Sequence, residues 1–131
     1  MTTYALLMTS LLFGGMTLYS FTFAAFLFTA LPTETASSVI RKAFPHFYTF
    51  VVVSASLAAL TAVSGDPLSG IILVFISITT IFARQILMPM INSATDAREK
   101  QRFNILHGAS VILTLFHIGL AAYVVVRLAS V

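Results

Sequence analysis

Four long apolar runs dominate the chain, at residues 4–31, 44–63, 68–91 and 103–127, with short polar connections between them. An α-helix of about 20 apolar residues crosses the hydrocarbon core of a bilayer. The pattern therefore predicts an all-α integral membrane protein: one four-span helix bundle that uses residues 1–131 as a single domain. The first run has no basic segment before it and is too long for a signal peptide, so we expect it to be retained.

Proline and small residues predict where these helices begin and end. Pro32 should stop the first helix, because the residue before a proline is pushed out of the α region. Residues 33–41 are interpreted as a short interfacial connection, and Pro45 is placed in the first turn of the second span. Asp66 and Pro67 are typical of an N-cap and a first helical position. Small residues at helical spacing in the second span indicate close packing against a neighbour.

A polar stripe interrupts the last apolar run. At about 100° per residue, His107, Ser110, Thr114 and His117 fall within a face roughly 80° wide. Polar groups in hydrocarbon are costly unless they have partners. We therefore expect this stripe to face other helices.

Arg84 is the only charge predicted inside a span, roughly 10 Å from the end of the third helix at 1.5 Å per residue. One interpretation is that its side chain snorkels to the headgroups. The other is that Arg84 faces the bundle with Ser77 and Thr80, opposite His107, and holds an anionic or carbonyl group. His46 is predicted at a comparable or shallower depth. The residues Arg84, His107, Ser110 and Ser77 define the predicted polar seam.

Composition and charge support a membrane location. The chain is 59% hydrophobic and 8% charged, with a mean hydropathy of +1.01. Its lack of cysteine excludes disulfides and thiolate metal sites. Lysine and arginine concentrate in the first and third connections, which predicts that these are cytoplasmic and that both termini lie outside. The bacterial inner membrane is the expected location, and nucleic-acid binding is not expected.

The spans hold no acidic residue, which argues against an ion-coupled carrier or a cation pore. No nucleophile–base arrangement or phosphate loop is visible, so enzymatic activity is not expected. A basic, histidine-containing pocket favours a lipid headgroup, a quinone carbonyl or a haem. For haem, His46 and His107 would be the axial ligands, and Arg84 would bind a propionate.

Several stretches together resemble the transmembrane protein 205-like family of small four-span membrane proteins. They are residues 14–32 (GGMTLYSFTFAAFLFTALP), 43–48 (AFPHFY), 88–92 (MPMIN) and 103–110 (FNILHGAS). The resemblance implies a four-span fold and no established catalytic activity. It also implies that certain positions mark the family: Gly14, Gly15, Phe44, Pro45, Asn92, Phe103, His107 and Ser110.

Three hypotheses for function follow. The first is a non-enzymatic binding or accessory protein that holds an electronegative small molecule, a lipid or a partner helix in the polar seam. Its candidate ligand-binding residues are Arg84, His107, Ser110, Ser77, Thr80, His46 and Thr114. The second is a haem-binding redox or haem-handling protein. The third is a small efflux or resistance facilitator. Homo-oligomers or membrane-protein partners are compatible with the first.

Overall fold

The computed structural model describes residues 2–130, which form four long helices with no strand among them. They are α1 (Thr2–Ala30), α2 (Thr33–Ala62), α3 (Pro67–Asp96) and α4 (Lys100–Ala129). Each is long and apolar enough to cross a membrane. Two are locally π-helical, α1 at Leu18–Phe23 and α3 at Ala83–Leu87. The predicted all-α, four-span fold is confirmed.

The helices pack in a ring, α1 against α2, α2 against α3, α3 against α4, and α4 against α1. Because the connections span only residues 31–32, 63–66 and 97–99, neighbouring helices run antiparallel. One end of the bundle therefore holds Thr2, Ser130 and the Asp66 connection. We call it the Asp66 end and the opposite one the Pro45 end.

Small residues set the close packing of α2. Its buried face includes Ala55, Ala58 and Ala62, as the small-residue spacing predicted. On the facing helix, a Cβ atom added to Gly15 would lie 2.5 Å from the Phe50 ring. Glycine at this position thus lets α1 approach α2 closely.

The helices are longer than the sequence pattern predicts. Helix α2 begins at Thr33 and runs without interruption through Pro45, so residues 33–41 are not a separate connection. Glu34 lies in its first turn, where the helix dipole favours an acidic side chain. Helix α3 likewise continues to Asp96, and Arg98 then takes a left-handed φ of 58° to turn the chain.

The outer surface of the bundle is apolar. Large side chains at least 60% exposed occur on every helix, among them Leu7, Leu60, Ile71 and Ile112. Such a surface is stable in hydrocarbon and not in water. The protein is thus a multi-pass membrane protein whose surroundings are the lipid bilayer.

Candidate functional site

Three helices meet at the proline-containing turn of α2, residues 43–49, which we call the Pro45 turn. Pro45 has no N–H to donate to the carbonyl of Arg41. Side chains of two neighbouring helices donate to other carbonyls of this turn: Tyr19 Oη to Ala43 O at 3.1 Å and Arg84 Nε to Pro45 O at 3.2 Å. The turn therefore ties α1 and α3 to α2.

Both donors come from the π-helical segments. Tyr19 lies in the segment of α1 and Arg84 in that of α3. Single π turns inside α-helices occur frequently at functional sites. Ser20 follows Tyr19, and its Oγ atom is buried without a hydrogen-bond partner in the described part of the chain. These features mark the Pro45 turn as the candidate site.

The Arg84 guanidinium makes its contacts with neutral acceptors. Besides Pro45 O, it donates from Nη1 to Gln85 Oε1 at 2.9 Å. No carboxylate of residues 2–130 forms a salt bridge with it. This half-buried guanidinium thus has no counterion among these residues, and its Nη2 makes no hydrogen bond to them.

Exposed polar side chains flank Arg84. His46 follows Pro45 and Gln85 follows Arg84 in the chain, and both are exposed. Thr49 is exposed as well and donates from Oγ1 to Pro45 O at 2.9 Å. Polar and ionisable groups within a span are costly in lipid, and they commonly mark functional sites.

The polar stripe of α4 is divided between the surface and the interior. His107 is exposed, and its ring stacks on Phe103 at 5.3 Å with an interplanar angle of 6°. Ser110 is half-buried and donates to the carbonyl of His107 at 2.8 Å, while Thr114 is half-buried. His117 alone is buried, with Nε2 2.7 Å from Thr79 Oγ1 of α3.

The prediction that the whole stripe faces other helices is wrong for His107. A stripe about 80° wide is broad enough for one edge to turn inward while the other stays outside. His117 lies at one edge of the stripe and His107 at the other. The inward edge is the one that finds a hydrogen-bond partner on α3.

Ser77 and Thr80 are buried, and their hydroxyls are used within the bundle. Ser77 Oγ lies 2.9 Å from Ser56 Oγ of α2, and Thr80 donates to its own helix at Ile76 O, at 2.7 Å. No hydrogen bond joins either hydroxyl to Arg84. Of these two contacts, only that of Ser77 joins α2 to α3.

The two proposed haem ligands lie on helices that are diagonal in the ring. His46 belongs to α2 and His107 to α4, and both side chains are exposed on the outside of the bundle. The structure therefore does not bring them to a shared point within one chain. Over residues 2–130, no group of three or more His, Asp or Glu side chains is placed to hold a metal ion.

Two ion pairs were not predicted from the sequence. Arg41 and Asp96 form a bidentate pair at 2.7 and 2.9 Å between α2 and α3. At the other end, Arg127 Nε donates to Asp66 Oδ2 at 2.6 Å. The Arg127 guanidinium, followed by the Ser69 hydroxyl, lowers the pKa of the Asp66 carboxyl below its usual value. Opposite charges on neighbouring helices at the same end of the bundle were the available signal.

Fold and surface together define a four-helix, multi-pass membrane protein with a charged side chain at the Pro45 turn. The chain matches the family described as Domain of unknown function (DUF4149) over residues 7–100, and it belongs to that family. The comparisons with curated proteins and with solved structures found no match. The resemblance to the transmembrane protein 205-like family stays a prediction.

The matched residues begin in the second turn of α1 and include the rest of α1, α2, α3 and the connection that follows. The Pro45 turn, with Tyr19 and Arg84, lies entirely within them. His107, His117 and Arg127 lie beyond them, on α4. The candidate site at the Pro45 turn is thus made from the part of the chain that defines the family.

Proposed function

We propose that this protein is a non-enzymatic binding or accessory membrane protein that holds an electronegative group at Arg84. The group belongs to a small molecule, a lipid or a partner helix. The observation that carries the proposal is the Arg84 guanidinium, which has only neutral acceptors among residues 2–130. A cation in an apolar span is stabilised by an anionic or carbonyl partner, and the guanidinium fork suits both.

The surroundings of Arg84 favour a ligand that approaches from the bilayer. His46, Thr49 and Gln85 are exposed on the outer surface, whereas Ser77 and Thr80 are already bonded inside the bundle. The proposed site is therefore narrower than the polar seam and lies between α2 and α3. His107 is on α4, where its exposed ring offers a second contact only to a ligand or partner that extends around the bundle.

Co-purification tests this proposal directly. The wild-type protein and the Arg84→Gln variant are extracted in a mild detergent, and the bound small molecules and lipids are identified by mass spectrometry. We expect a molecule with a phosphate, carboxylate or carbonyl group that is lost from Arg84→Gln. Arg102→Gln is the matched control, because Arg102 is an exposed arginine near the same end of the bundle.

The outcome can also contradict the proposal. If Arg84→Gln retains the same molecules and the same cross-linked membrane partners as Arg102→Gln, Arg84 is not a binding residue. His107→Ala, measured alongside, decides whether the site extends to α4. Added hemin that produces a Soret band sensitive to His46→Ala and His107→Ala would favour the haem alternative instead. Ligand flux into vesicles that contain the purified protein would favour the facilitator.

Orientation is part of the proposal. We place the first and third connections in the cytoplasm and both termini outside, in a bacterial inner membrane, because five of the seven basic residues lie in those connections or in the first three turns of the helices that follow them. The chain has no cysteine, so single cysteines report sidedness without background. Ser64→Cys should react with an impermeant maleimide in spheroplasts, and Ala97→Cys should react only after lysis. The reverse pattern would invert the topology.

A further inference from the structure

A cavity of about 390 Å³ opens at the Asp66 end, far from the Pro45 turn. It lies between the connection that precedes α3 and the last turns of α4. The residues around it are Gly65, Asp66, Tyr123, Val126, Arg127 and Ser130. A charged guanidinium, a carboxylate and a phenol thus meet where a helix end reaches the membrane surface.

Asp66 holds Arg127 in a fixed orientation. Its Oδ2 accepts from Arg127 Nε at 2.6 Å and from Ser69 Oγ at 2.6 Å. The carboxylate side chain is only 9% exposed, whereas the arginine side chain is 38% exposed. The buried carboxylate therefore holds the inner edge of the guanidinium and leaves its outer edge accessible.

The outer edge of Arg127 carries the available donors. Nη1 lies 3.5 Å from Tyr123 Oη, a long contact in which the phenol oxygen is the acceptor. The phenol hydrogen is therefore free to donate to another group. Arg127 Nη2 makes no hydrogen bond to residues 2–130. Guanidinium and phenol donors on one face of α4 match the oxygens of a phosphate.

Apolar surface continues from these donors along α4. Val126 is 66% exposed and Tyr123 is 49% exposed. Residues three and four positions apart share a helix face, so Tyr123, Val126 and Arg127 combine polar donors with a surface suited to acyl chains. A ligand with one phosphate and hydrocarbon chains would satisfy both parts.

We propose that this cavity binds the phosphate of a membrane phospholipid headgroup. Arg127 and Tyr123 contact the phosphate, and Asp66 is a positioning residue that fixes the guanidinium. Because Asp66 neutralises Arg127, long-range attraction of free anions is weak, and the acyl chains supply the rest of the affinity. This site differs in place and residues from the one at Arg84, so either can fail without the other.

Native mass spectrometry of the full chain in detergent tests the inference. The protein is titrated with dioleoyl phosphatidylethanolamine, dioleoyl phosphatidylglycerol, dioleoylglycerol and inorganic phosphate. We expect both phospholipids to bind, and dioleoylglycerol and inorganic phosphate to bind at least tenfold more weakly. Loss of one hydrogen bond in Tyr123→Phe should weaken phospholipid binding by about three- to tenfold.

One further variant and two controls complete the test. Arg127→Lys keeps the charge beside Asp66 but removes the fork, and we expect about tenfold weaker binding. Tyr4→Phe removes an exposed phenol at the same end but outside the cavity and should bind as wild type does. Arg102→Gln should also bind as wild type does, because Arg102 is an exposed arginine at the opposite end of the bundle.

Three results would overturn the inference. Equal binding of dioleoylglycerol would mean that the chains alone account for the affinity. Equal binding of inorganic phosphate would make a free phosphate the ligand. Unchanged phospholipid binding in both Tyr123→Phe and Arg127→Lys would remove the cavity from the interaction. Tyr123→Phe leaves the ion pair intact, so loss of folding in Arg127→Lys does not prevent a decision.

Discussion

Arg84 and Arg127 are both half-buried arginines on long apolar helices, and they have different acceptors. Arg84 lies near the middle of α3, whereas Arg127 lies at the Asp66 end of α4. Arg127 donates to a carboxylate that is itself buried. Arg84 donates to a main-chain carbonyl and a side-chain amide. The first guanidinium has a counterion within the chain, whereas the second has none among residues 2–130.

Arg127 is therefore a structural charge, whereas Arg84 is available to bind a further group. Removing one member of a paired set leaves the other without its counterion, which is strongly destabilising. Removing an unpaired arginine from an apolar span leaves no such charge behind and abolishes the cost of inserting it. The stability of matched variants should therefore tell the two arginines apart.

The largest effect is expected for Arg127→Met. The Asp66 carboxylate would lose its cation and keep Ser69 as its side-chain donor, so the melting temperature in detergent should fall by about 5 °C. The double variant Asp66→Asn/Arg127→Met removes both charges and should recover most of that loss. Equal melting temperatures for the single and double variants would show that the two side chains are not coupled.

The second-largest effect is expected from acid, which should lower the stability of the Asp66 end. The Arg127 guanidinium and then the Ser69 hydroxyl lower the pKa of Asp66. Its contribution to stability is therefore complete above the ordinary carboxyl pKa of about 3.9 and is lost as the pH falls through the lower pKa of the folded state. Melting temperatures should be flat from pH 7 to 5 and fall below about pH 4.

The variant Asp66→Asn isolates the contribution of Asp66 to the slope of melting temperature against pH. Asp66→Asn removes the titrating group, so part of the acid-induced loss should disappear. Arg84→Met, in contrast, should leave the slope unchanged, because the Pro45 carbonyl does not titrate. An acid profile that is identical in wild type and Asp66→Asn would contradict the assignment.

A smaller effect is expected at the Pro45 turn for Tyr19→Phe. The variant loses the hydrogen bond to Ala43 O but leaves that carbonyl its helical donor. The free energy of unfolding should fall by about 0.5–1 kcal/mol, measured by denaturation in mixed micelles. Tyr4→Phe, at an exposed position of the same helix, should leave it unchanged.

The smallest effect is expected for Arg84→Met. Lost charge-assisted hydrogen bonds cost about 1.5–3 kcal/mol, and removal of an arginine from an apolar span returns about 2.5–3.5 kcal/mol. The two nearly cancel, so the melting temperature should stay close to that of wild type while co-purified ligand is lost. A fall as large as that of Arg127→Met would identify Arg84 as a structural residue.

The four spans could be predicted because hydrophobic length is a strong, local signal. The starts of α2 at Thr33 and of α4 at Lys100 could not be predicted. Both residues lie in polar stretches that are held in helical form by tertiary contacts and ion pairs. Arg41 is an example: its carboxylate partner, Asp96, is distant in sequence. The hydrophobic periodicity of the sequence does not reveal such pairs.

The site was predicted in part. Arg84 was singled out from its charge alone, and the structure places it at a junction of three helices. Its supposed partners Ser77 and Thr80 lie before the π-helical segment Ala83–Leu87, where the wider turn shifts the phase of the helix face. Spacing at 100° per residue cannot anticipate that shift, and the role of Tyr19 as a donor was missed.

The interhelical hydrogen bonds are distributed unevenly around the ring. Tyr19 joins α1 to α2, Ser77 and Arg84 join α2 to α3, and His117 joins α3 to α4. No side-chain hydrogen bond of residues 2–130 joins α4 back to α1. Apolar contacts between helices are readily exchanged for contacts with lipid tails. We therefore expect α4 and α1 to separate before any other pair of neighbouring helices does. A hydrophobic molecule from the membrane would therefore enter the bundle between α1 and α4.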